Sequence, residues 1–147
     1  MKWYGNRYPS LNDLQDAAWD LGAVVVYGAT PVAFCCLDPE GPIIGIPEDA
    51  GLLEKSWMLA HEIGHLVQHN GPKNELTWRK NESQADRWAA CALIPDSRVK
   101  DYRNASLDAF IGALSAHYEE LPMVDCPQRD LAARIASIRL RTIGEVA

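Results

Sequence analysis

The run His61-Glu62-Ile63-Gly64-His65 constrains this chain more than any other feature, because it ties a particular chemistry to a particular secondary structure. Two histidines four residues apart fall on one face of a helix, one turn above the other, so both imidazoles can hold a single zinc ion. Helix geometry turns Glu62 by about 100° from His61. Its carboxylate can then reach a water in an open zinc position without binding the ion, as a general base must. Zinc in such a site lowers the pKa of its water to about 7, and a glutamate can take that proton and later deliver it to a leaving amine. Hydrolysis of a peptide bond through a zinc-bound water, with Glu62 as general base, is the chemistry this spacing predicts.

An open catalytic site needs a third protein ligand besides His61 and His65. The pattern that supplies a third histidine ten positions after the first is excluded, since Gly71 stands there. A ligand from a following helix is the other route. Glu82 is the expected residue, because it sits one turn before Ala85 on an apolar stripe where an unpaired carboxylate would be costly. The competing reading makes Glu82 an exposed first-turn glutamate favoured by the helix dipole. Asp86, four residues further on, could accept a hydrogen bond from the far nitrogen of a ligand histidine and fix its tautomer; the alternative is a surface carboxylate. His69 continues the four-residue series at the helix end, where a cation complements the dipole. His117 and Tyr118 could stabilise an oxyanion, but nothing in the sequence brings them to the site, and packing is the expected role.

At 147 residues and 48% hydrophobic composition, the chain has the length of one globular domain, and residues 1–147 are read as one. The opening MKWYGNRYPS does not resemble a secretory leader, and no apolar run approaches the roughly 20 residues of a membrane span. A soluble, cytoplasmic protein is expected. Of the net charge of −6, residues 1–75 carry all, with 10 acids against 4 bases, while residues 76–147 carry 10 of each. That balance argues against a basic nucleic-acid binder. The cysteines Cys35, Cys36, Cys91 and Cys126 form no two-residue-spaced pair, so reduced, mostly buried thiols are expected.

Periodicity and punctuation give the fold class. Ser10 caps a first helix with Leu11, Leu14, Ala18 and Leu21 on one face, stopped at Gly22. AVVVY, VAFCCL and PIIGI then read as three short strands separated by turn residues. A long helix follows over about Leu52 to His69, then one from about Asn81 to Ile94 ended by Pro95, and two more near 106–119 and 127–142. The expected architecture is α+β, with a three-stranded sheet, about five helices, and the segment from about 106 to 147 helical. Pro42 to Ile46, the strand before the active-site helix, is the expected edge for an extended substrate.

The two chemistry-bearing segments together resemble the ImmA/IrrE metallopeptidases, which pair a HE(L/I)GH helix with a downstream helix of pattern E-x-x-A-(N/D)-x-(F/W)-A. Here the second motif is Glu82-Ser83-Gln84-Ala85-Asp86-Arg87-Trp88-Ala89, and the likeness spans roughly Leu11 to Pro95. The resemblance implies a zincin-like fold with the segment from about 106 to 147 packed on the core, and one zinc ion per chain on His61, His65 and Glu82, with Glu62 as catalytic base. It further implies a zinc endopeptidase acting on a helix-turn-helix transcriptional repressor in a phage, mobile element or stress response. The chain is too short for a fused helix-turn-helix or sensor domain, so the repressor is expected to be a separate protein.

Three other readings are weighed against this one. A deformylase-like site would take Cys35 or Cys36 as a ligand, but the remaining deformylase motifs are missing. A non-proteolytic zinc fold could regulate by capturing a repressor or another partner. Arg129, Arg134, Arg139 and Arg141 make the last segment locally basic, yet Leu131, Ile135 and Ile138 beside them should be buried, so DNA contact is not expected.

Overall fold

The computed structural model describes residues 8–68, 75–101, 107–119 and 127–146. Helix α1, Leu11–Asp20, starts in a capping box: the Ser10 hydroxyl accepts from the Asp13 amide at 3.1 Å, and the Asp13 carboxylate accepts from the Ser10 amide at 2.8 Å. It ends in a Schellman turn, with Gly22 at φ +83° and the Ala23 amide donating to Ala18 O at 2.9 Å. The face carrying Leu14, Ala17 and Ala18 is buried.

Strands β1 (Val24–Gly28), β2 (Phe34–Asp38) and β3 (Gly41–Pro47) form a mixed sheet of order β1-β3-β2, with β3 parallel to β1 and antiparallel to β2. Ile44 and Ile46 are fully buried and share their face with Val25, Tyr27 and Cys35, while Val24, Val26, Phe34 and Cys36 stand exposed on the other. Adjacent cysteines therefore point to opposite faces, as strand alternation requires. The expectation that Pro42 to Ile46 offers an edge is corrected: those residues lie in the central strand, and the sheet edges are β1 and β2. Sequence order suggested an edge because β3 directly precedes α2. The tight turn that folds β2 back onto β3 leaves β2 outside.

That turn spans Asp38 to Gly41, with the Glu40 amide donating to the Asp38 carboxylate at 3.0 Å. Gly41 has φ +132°, and a Cβ there would lie 2.9 Å from Gly22 O. The glycine is thus needed for both its backbone conformation and its closeness to the end of α1.

Helix α2, Leu52–Gln68, lies under the sheet and buries Leu53, Trp57, Leu59, Ala60 and Ile63. Helix α3 runs over Glu75–Leu93, starting six residues before the expected Asn81. Its first turns are good helix formers without an apolar stripe, and Trp78 is exposed, so hydrophobic periodicity does not reveal them. Pro95 ends that stretch, and a short helix not expected from the sequence, α4 (Asp96–Asp101), follows it directly. Helices α5 (Leu107–Glu119) and α6 (Pro127–Val146) bring the helices among the described residues to six, against about five expected. Both pack on the core shared with α2 and α3: Phe110, Leu114, Ile135 and Ala136 are buried there. Arg139, nearly buried, donates to Ile94 O at 2.8 Å and pairs with Asp96, which ties α6 to the end of α3. Among the described residues no helix is long and apolar enough to cross a membrane. The architecture is α+β, consistent with a small zincin-like peptidase domain.

Replacing Gly41 with alanine forces a side chain into a backbone region that glycine alone adopts readily. Roughly 1–3 kcal/mol of stability should be lost, measured as a lower urea midpoint with an unchanged denaturant slope.

Candidate metal centre

The centre is assembled where α2 and α3 touch. Helical spacing stacks His61 and His65 on one face of α2, with ring centroids 4.7 Å apart. Helix α3 can reach that face because both helices are stripped of bulk at the crossing. A Cβ on Gly64 would stand 3.0 Å from both Cα and O of Ala85, and Ala85 and Ala89 are themselves fully buried. Glu82, one turn before Ala85, is carried to the two imidazoles by this close approach. Its carboxylate lies 2.7 Å from His65 Nε2 and 3.1 Å from His61 Nε2, while the two Nε2 atoms are 3.1 Å apart.

Asp86 lies behind His61. Its Oδ1 is 2.7 Å from His61 Nδ1, and its Oδ2 accepts from Arg134 Nη2 of α6 at 3.1 Å. Burial pushes the Asp86 carboxyl up, but its hydrogen bond and charge interaction with His61 and the Arg134 guanidinium outweigh that and hold it below the usual carboxylate range. An ionised Asp86 makes His61 Nδ1–H the donor and leaves the Nε2 lone pair aimed at His65 and Glu82. For His61, burial opposes protonation, yet the Asp86 hydrogen bond and the charges of Glu82, Asp86 and Glu62 raise its pKa overall. Glu62 is raised chiefly by burial, with Glu82 adding to the rise and His61 and His65 opposing it.

Two imidazole lone pairs and a carboxylate crowded together repel unless a proton or a metal ion lies among them. The ligand atoms of His61, His65 and Glu82 lie within 4.8 Å of one another, the one group of metal-ligating type among the described residues. Donors about 2.0–2.1 Å from a tetrahedral ion stand roughly 3.3 Å apart, close to the separations found here. The residues present therefore fit a divalent ion, and the set suits zinc while also suiting manganese or iron.

A cavity of about 200 Å³ opens over the cluster, lined by Ala33, Trp57, His61, Glu62, Glu82 and Arg134 among others. Glu62 thus shares a solvent-accessible space with His61 and Glu82 of the ligand set. Other candidates lie elsewhere or outside the described residues. His69 falls among the latter. Tyr118 is buried with its hydroxyl donating to Pro9 O at 2.9 Å, and His117 stacks on Tyr8, so neither lines the cavity. Cys35 is half-buried, and burial together with the Glu62 charge raises its thiol pKa, which disfavours a thiolate ligand. Cys36 is on the outward face.

Four residues of the cavity wall, Ala33, Trp57, Met58 and Arg134, carry no site signal that the sequence reading used. Trp57 stands one turn before His61, with ring centroids 6.4 Å apart, and that spacing was a usable signal. In the sequence Arg134 stands out only as part of a basic segment. Its guanidinium lies 5.8 Å from the Trp57 ring centre and donates to Asp86, and no local pattern could have announced contacts with residues 77 and 48 positions earlier in the chain.

A family model for M78 peptidases, described as the IrrE N-terminal-like domain, matches residues 20–120, which include all of α2 and α3. Searches of curated proteins and of solved structures found no match.

Two substitutions test how the centre is held. Gly64→Val should force α2 and α3 apart and weaken metal binding by at least tenfold, with a stability loss of roughly 1–3 kcal/mol for overpacking. Asp86→Ala should keep the fold and weaken metal affinity by about 10- to 100-fold, the usual cost of removing a carboxylate that orients a ligand histidine. Competition with a chromophoric chelator measures both.

Proposed function

The chain belongs to the IrrE N-terminal-like family of M78 peptidases, and from that membership and the metal centre we propose that it is a zinc-dependent endopeptidase of the HExxH type. The observation carrying this reading is the convergence of His61, His65 and Glu82 at separations of 2.7–3.1 Å beside a cavity that also holds Glu62. His61, His65 and Glu82 would hold the ion, one per chain, and Asp86 would orient His61 through its Nδ1–H. Zinc bound there supplies Lewis acidity to the scissile carbonyl and lowers the pKa of water in its open position to about 7.

Glu62 does the proton work. Its carboxylate accepts a proton from the attacking water and returns it to the leaving nitrogen. One O–H and one C–N bond break while one C–O and one N–H bond form. Partial burial raises its basicity toward the range that a base at neutral pH requires. The substrate is an extended peptide. β2 is the sheet edge nearest the cavity in sequence, since Ala33, the residue before it, lines the wall, and its outer main-chain groups can pair with such a peptide.

The resemblance carried by the two motifs supports a helix-turn-helix transcriptional repressor, encoded separately, as the protein substrate, in the cytoplasm of a cell carrying a phage or mobile element. The burial of α5 and α6 residues in the core shared with α2 and α3 supports a single peptidase domain over residues 1–147.

Elemental analysis should find one equivalent of zinc in the wild type, lost in His65→Ala and in Glu82→Ala. Glu62→Gln should keep its zinc while repressor cleavage falls by roughly 100-fold or more. A wild type that stays metal-free with zinc supplied would overturn the proposal. Full derepression by the Glu62→Gln protein would replace cleavage with capture.

A further inference from the structure

The cavity wall includes Ala33, where the chain enters β2, and Arg134 of α6, which lies beyond the family-matched residues. The guanidinium is held from two directions. Nη2 donates to Asp86 Oδ2 at 3.1 Å, and the flat group lies 5.8 Å from the centre of the Trp57 ring. Yet the side chain is 60% exposed, and among the described residues Asp86 is the hydrogen-bond partner its guanidinium has. A guanidinium carries five N–H donors, so most remain for a ligand. Holding them in place beforehand lowers the entropy lost when one arrives.

The occupant of the cavity fixes what those donors meet. This step rests on the endopeptidase reading given above. In an extended peptide, successive main-chain carbonyls point to opposite sides. Carbonyls turned toward β2 can pair with its edge, and the intervening ones turn away from it and need donors elsewhere on the cavity wall, which Arg134 also lines. We propose that Arg134 is a substrate-binding residue, donating a hydrogen bond to a main-chain carbonyl of the substrate beside the scissile bond. A carbonyl fits better than a carboxylate, because Asp86 already balances the guanidinium charge and leaves donors rather than net charge to recognise. Cleavage should therefore not depend on an acidic residue at that position.

Two ligands for the zinc-loaded protein separate this role from an effect on the metal. Acetohydroxamate chelates the ion and reaches no further, whereas a peptidyl hydroxamate with uncharged side chains also extends along the cavity. Calorimetry should show Arg134→Met, which keeps an apolar stem on Trp57, weakening the peptidyl ligand by roughly tenfold or more, as loss of a charged donor predicts. Acetohydroxamate affinity should stay within about twofold, and Arg134→Lys should recover part of the loss. Equal loss for both ligands would mean that Arg134 acts only through Asp86 on His61, and no loss for either would leave it no role; each overturns the proposal. Loss confined to a peptidyl hydroxamate bearing a glutamate would overturn it in favour of carboxylate recognition. A wild type that takes up zinc, binds acetohydroxamate and ignores both peptidyl ligands removes this inference alone. Failure to take up zinc removes the metallopeptidase reading with it.

Discussion

Everything at the centre depends on the close contact between Gly64 and Ala85. A methyl group on Gly64 would lie 3.0 Å from backbone atoms of Ala85, so no larger pair of residues could sit at that crossing without moving one helix. The gap it leaves sets the reach of Glu82. A glutamate side chain is short, and its carboxylate can bridge His61 and His65 only if its helix comes this near. The histidine pair by itself needs nothing but a regular helix. The third group needs two helices held at one separation, and the burial of Ile63, Ala89 and Leu93 in the same core supplies the cohesion.

Charge in the half-buried centre is balanced in a chain. Glu82 faces the Nε2 atoms of both histidines, Asp86 faces the Nδ1 of His61, and Arg134 faces Asp86. Each carboxylate therefore has a partner, as desolvated acids require. Glu62 is the exception, since burial raises its pKa and the two histidines only partly oppose the rise. A carboxylate whose proton affinity is raised in a cavity is suited to moving protons, whereas its neighbours, fixed by partners, are suited to holding position.

Much of this fold was legible in the chain. Ser10 and Gly22 bracket α1, Pro95 closes α3, and three apolar runs separated by turn residues give three strands. Where expectation and structure part, the reason is physical. The first turns of α3 carry helix-forming residues with no apolar stripe in their sequence, so hydrophobic periodicity could not see them. The neighbour order of the strands depends on a single turn at Gly41 that returns β3 between its predecessors, and strand sequence alone does not encode which strand ends at an edge.

The sequence by itself determined the shared face of His61 and His65, the displacement of Glu62 from that face, and the spacing of Glu82, Ala85 and Asp86 along the next helix, because these follow from 3.6 residues per turn. The tertiary structure alone decided that Glu82 meets both histidines, that Asp86 lies behind His61 rather than in solvent, and that Ala33 and Arg134 line one cavity with them. Helical periodicity fixes the direction of side chains within one element. The distance between elements is set by packing, which here turns on the absence of a single methyl group.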